Sequence, residues 1–143
     1  MLKRRVMTGL VMLLLTSLAQ ADDGRPPMPA MTVDLNKISY PDAARKSELQ
    51  GRVLVSFSIS KKGRVDDELI VESEPIEVFD KAALELVKKI KFAVPDNWED
   101  LAGPLQRYRL SVVFKLYPCP EPCVPPKRHE DADDFVIVSA QIR

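Results

Sequence analysis

The chain reads as an α+β domain: a small antiparallel sheet built from a β-hairpin and a later strand, with one main helix packed on one face. Three changes of period between Tyr40 and Leu116 predict it. Val53, Val55, Phe57 and Ile59 are apolar at every second position; Phe79, Ala82, Ala83, Leu86, Val87 and Ile90 fall at i, i+3, i+4, i+7, i+8 and i+11; Tyr108, Leu110, Val112, Phe114 and Leu116 return to alternation. A period of two gives a strand with one buried face, and a period of 3.6 gives an amphipathic helix.

Residues 1–21 stand outside this fold. Lys3-Arg4-Arg5 precede a short apolar stretch, Val6 to Leu18, and Ala19-Gln20-Ala21 supply the small residues of a cleavage site. The segment is expected to be a secretory signal cut after Ala21, which exports the mature chain. The competing reading is an uncleaved membrane anchor, but a spanning helix needs about 20 apolar residues and this run stops short at Asp22-Asp23.

The remaining residues suffice for one modest domain. Loss of three basic residues with the leader tips the balanced charge of the whole chain to about −3, which argues against nucleic acid as a partner. All 12 prolines lie in the mature part. Residues 22–36, with Pro26, Pro27 and Pro29, read as an extended, mobile arm ahead of a domain at 37–117.

Within the domain, Pro41 sits where a first helical residue lacks an N–H at no cost, so a short helix should run to about Ser47. Gly51 opens the first strand. Lys61-Lys62-Gly63 forms the hairpin loop, leading to a second strand with Val65, Leu69 and Val71 that Pro75 closes. The main helix is placed from about Glu77 to Lys91, acidic at its start and lysine-rich at its end, as the helix dipole favours. Trp98 lies in an irregular, acidic stretch and reads as a lid over the edge of the core.

Residues 118–143 form a Pro- and Cys-rich link and a tail. Cys119 and Cys123 are separated by three residues in an exported chain, which favours a disulfide, with metal ligation or thiol exchange as the other readings. A zinc or copper site would want more ligands, and His129 is the only histidine. The run Phe135 to Ile142 is too rich in β-formers to stay solvated as coil; it should add an extra strand to an exposed sheet edge, in its own molecule or a neighbour, with a disordered tail as the alternative. No Gly-rich phosphate loop and no Ser–His or Cys–His motif is present, so neither enzyme, cofactor nor small-molecule substrate is expected.

The order and spacing of these pieces resemble the TonB C-terminal domain family. The match is carried by Tyr40-Pro41 and Ala44, the Gly51-to-Ile59 strand, Gly63-Arg64-Val65, Val71 with Ser73, Asp80-x-Ala82-Ala83, Phe92 with Pro95, and the closing strand through Phe114 and Leu116. The resemblance implies a periplasmic protein-interaction module, tied to energy-dependent outer-membrane transport, that grips a receptor segment or a second copy of itself by strand pairing. The last family strand, Arg107 to Leu116, is then the implied docking edge, with Arg107, Tyr108, Arg109, Leu110, Ser111, Val112, Val113 and Phe114 as its contact residues. The family's transducers also carry a membrane helix with a functional histidine. This chain has none before His129, and an energy transducer with an uncleaved N-terminal helix is the alternative reading.

Overall fold

The computed structural model describes residues 25–142, so the leader expected at 1–21 lies outside the described residues. Among those described, no helix is long and apolar enough to cross a membrane.

In chain order the elements are β1 (Met31–Thr32), a 3-10 turn (Leu35–Lys37), α1 (Asp42–Lys46), β2 (Gly51–Ile59), β3 (Val65–Glu74), α2 (Asp80–Lys88), β4 (Lys91–Phe92), α3 (Trp98–Ala102), β5 (Tyr108–Tyr117) and β6 (Asp134–Gln141). The main sheet has the order β3-β2-β5-β6, and β1 pairs separately with β4. The architecture is α+β, as the alternating periods predict. One feature is added: β6 joins β5 in parallel, which makes the sheet mixed.

The inward residues of β2 and β5 and the stripe of α2 form the main core. Phe57, Phe79, Leu86, Ile90, Leu110 and Phe114 are all fully buried there. Phe79 and Phe114 stack with ring centroids 4.4 Å apart, and Tyr40 meets both edge-on. The Tyr40 hydroxyl donates to the Leu49 carbonyl, and burial pushes its pKa up. Gly51 leaves room for this packing: a Cβ there would lie 2.2 Å from the Glu74 carbonyl oxygen and 2.6 Å from the Phe79 ring.

Three local expectations are changed by tertiary contacts. The arm is extended but held, because the Pro26 carbonyl accepts the buried Tyr108 hydroxyl at 2.7 Å and Met31 pairs with Phe92. The main helix is shorter than its apolar stripe: Glu77 takes a left-handed φ of 67° before it, and Lys91–Phe92 leave it to pair with β1. In β3 the register to β2 shifts twice, and Asp67 takes φ 51° at one shift. Ile70 therefore packs on the core, while Leu69 and Val71 stay 49% and 43% exposed. Trp98 belongs to the core rather than capping it from a loop: it is buried in α3 and donates Nε1–H to the Ile59 carbonyl at 2.9 Å.

Candidate functional site at the sheet edge

β5 is paired on both sides. β2 runs antiparallel to it, with Val53 opposite Val112, and β6 runs parallel, from Leu110 opposite Asp134 to Tyr117 opposite Gln141. Of the residues implied as a docking edge, Arg107, Tyr108, Arg109, Leu110, Ser111, Val112, Val113 and Phe114, those from Leu110 to Phe114 have the tail strand paired along them in this structure. The β-prone tail folds back within the same molecule and satisfies the amides that would otherwise be exposed.

Their side chains are committed as well. Tyr108, Leu110, Val112 and Phe114 face the main core. Arg107 lies along the sheet, its Nε donating to Ser56 Oγ at 2.9 Å and its Nη2 to the Asp67 carbonyl at 2.7 Å. Arg109 holds the beginning of the tail: its Nη1 meets Asp131 Oδ2 at 2.6 Å, and its backbone N–H donates to Asp133 Oδ2 at 2.8 Å. The other Asp133 oxygen pairs with Arg25 Nη2 at 2.9 Å. At the far end the Ile142 N–H donates to the Tyr117 carbonyl at 2.8 Å. Val136 and Val138 turn into the core between these two pins.

A parallel pair needs a crossover, and residues 118–133 provide it on the face of the sheet opposite the helices. Leu54 and Val113 are buried on that face, outside the main core cluster. His129, only 4% exposed, is the keystone of the crossing. Its backbone N–H donates to Ser111 Oγ at 3.0 Å, and its Nδ1 lies 2.9 Å from the same oxygen. If the Ser111 hydroxyl donates to Nδ1, the ring proton sits on Nε2, which faces Glu72 Oε1 at 3.7 Å. The ring thus lies over Leu54 of β2, which is register-paired with both Ser111 and Glu72, and its Nε2 has no hydrogen-bond partner among the described residues. Burial lowers the His129 pKa, and nearby Arg52 lowers it further, against opposing pulls from Glu72, Asp131 and Glu74.

Cys119 and Cys123 form the expected disulfide at the start of the link. Gln50 ties this end down, accepting the Leu116 N–H at 2.8 Å. Among the described residues no group of three or more His, Cys, Asp or Glu is placed to hold a metal.

Sequence reasoning anticipated the tail strand but missed the Ser111–His129 anchor. Its two members are 18 residues apart and share no recognisable spacing. The one available signal was a lone histidine beside an apolar strand.

The two outer edges left by this arrangement differ. β3 carries Asp66, Asp67, Glu68, Glu72 and Glu74 and two register shifts, which discourage further pairing. β6 carries no charge from Phe135 to Ala140 and is regular along its length.

Known proteins match the folded part. The family described as "Gram-negative bacterial TonB protein C-terminal" matches residues 36–116, from the 3-10 turn into the end of β5. "Protein TonB" of Helicobacter pylori (strain J99) is 35% identical over 80 residues, covering 54% of this chain and 29% of that protein. "Protein TonB" of Pseudomonas aeruginosa is 38% identical over 53 residues, covering 37% of this chain and 16% of that protein. The chain thus spans less than a third of these relatives' length. The link and β6 lie beyond the matched range. The hairpin, the α2 stripe and the closing β5 strand all fall inside it, and the chain belongs to the TonB C-terminal domain family.

Proposed function

We propose that this is a non-catalytic, TonB-type protein-interaction module of the periplasm, serving outer-membrane transport by pairing a partner strand with β5 after β6 has been displaced. The observation that supports this reading is β6 itself: a parallel strand lies along β5, held by carboxylate contacts at its start and two inward valines. The tail therefore displays the chemistry a competing segment would need, namely an acidic residue followed by alternating small apolar residues. A second copy of the chain could supply the same strand by exchange.

The seat is weak enough to exchange. Burial of Val136 and Val138 contributes about 1.5–3 kcal/mol each. Ordering eight residues costs about 1–2 kcal/mol apiece, while each ladder hydrogen bond returns about 0.5–1.5 kcal/mol. These sums nearly cancel, so local opening of β6 should cost far less than global unfolding.

Deleting residues 127–143 should expose β5, speed amide exchange in Tyr108–Leu116, and cause dimerisation or capture of a synthetic Asp134–Gln141 peptide. Conversely, cross-linking Arg109→Cys to Asp133→Cys in the full chain should abolish strand capture. Unchanged exchange and unchanged oligomeric state on tail deletion would reject the reading.

A further inference from the structure

The crossover builds a second surface that strand pairing does not use. Pro125 and Pro126 form one wall of a cleft of about 320 Å³, and Val113, Phe135 and Ile137 line the sheet side. Phe135 and Ile137 remain 39% and 38% exposed, two large apolar side chains side by side in the cleft. Three cations rim this cleft: Lys115 from β5 and Lys127 and Arg128 from the link. No carboxylate lines it, and none of the three makes an ion pair with a described residue.

The cleft is held in shape from both sides. Arg52 Nη1 donates to the Lys127 carbonyl at 3.3 Å, and His129 anchors the next turn to Ser111. The Arg128 guanidinium lies 4.9 Å from the Phe135 ring centroid, which fixes its stem across the cleft while leaving its edge free to donate.

We propose that this cleft is a docking site for an extended acidic peptide carrying one apolar anchor residue. The anchor would enter between Pro126 and Ile137, and flanking carboxylates would meet Lys115, Lys127 and Arg128. Charge complementarity selects this occupant. A second copy of this chain would bring its own Lys115, Lys127 and Arg128 against the first set in a two-fold contact, and like charges oppose that. The cleft exists only while β6 is seated, so a bound peptide favours the seated tail and, under the function proposed above, opposes strand exchange.

The test uses the full oxidised chain and a fluorescein-labelled peptide with one Trp flanked on each side by two Glu. Fluorescence anisotropy should report saturable binding that weakens with salt. Lys115→Glu combined with Lys127→Glu should weaken binding at least tenfold, and Ile137→Asn severalfold. Lys61→Glu with Lys62→Glu, a hairpin control of equal charge change, should leave binding within twofold. Amide exchange in Asp134–Gln141 should slow on binding, whereas strand displacement would speed it. The Arg109→Cys/Asp133→Cys cross-linked chain should still bind this peptide while failing to capture a strand, which separates this proposal from the one above. Equal binding of a peptide with Lys in place of Glu, equal loss in the hairpin control, or no binding would overturn the proposal. So would preference of the face for anionic vesicles or for self-association.

Discussion

His129 shows how one side chain can carry a long segment. It enters the fold neutral, because burial and Arg52 both disfavour its charged form. A histidine whose folded pKa is depressed contributes its full stabilisation above the ordinary value of about 6.5, and loses it as the pH falls below that value. Protection factors of the β6 amides, that is, exchange corrected for its intrinsic base-catalysed rate, should therefore be lower at pH 5 than at pH 8. His129→Gln, which cannot titrate, should flatten that dependence; an equal slope in the variant would show that other groups govern it. Gly63 is a second residue with an outsized role. It takes φ +73°, and a Cβ would lie 2.2 Å from the Phe92 carbonyl oxygen, where the hairpin tip is bonded to β4. Gly63→Ala should cost at least about 1–2 kcal/mol from backbone strain alone, measured by urea unfolding.

At the scale of elements, the helix and strands owe their positions to different things. α2 is placed by its stripe: Ala83, Leu86 and Val87 are completely buried, and Leu86→Ala should cost about 2–5 kcal/mol in a denaturant melt. β3 is placed by backbone pairing instead, since its side chains are mostly polar and its register breaks twice. This explains why alternation read correctly for β2 and β5 but not for β3, where each bulge transfers later residues to the other face. β6 resembles β5 in composition yet runs parallel to it, an orientation decided by the crossover and by Asp133 and Ile142 at its ends.

Over the whole molecule, residues 36–116 carry the family fold, and the segment after them refashions its surface. The addition closes one sheet edge, covers the face opposite the helices, and creates a cationic cleft there. The Cys119–Cys123 bridge closes a loop of only five residues, so chain-entropy arguments allow it about 2 kcal/mol at most. Replacing both cysteines with serine should lower thermal stability modestly and leave the main core folded, as followed by near-ultraviolet dichroism. A cooperative loss of all structure would contradict this division between a self-sufficient core and an appended clasp.

Periodicity alone determined the first hairpin strand, the helix and the closing strand, because each buries one face and that burial writes its period into neighbouring residues. The five-residue cysteine loop was legible for the same reason, being local. The tail's need for a partner was also readable, but its direction was not. Parallel pairing at β5, the tethered arm and the Ser111–His129 anchor were decided only by the tertiary structure. They depend on contacts between residues tens of positions apart, and pairing energies at such separations leave no spacing in the sequence to be read.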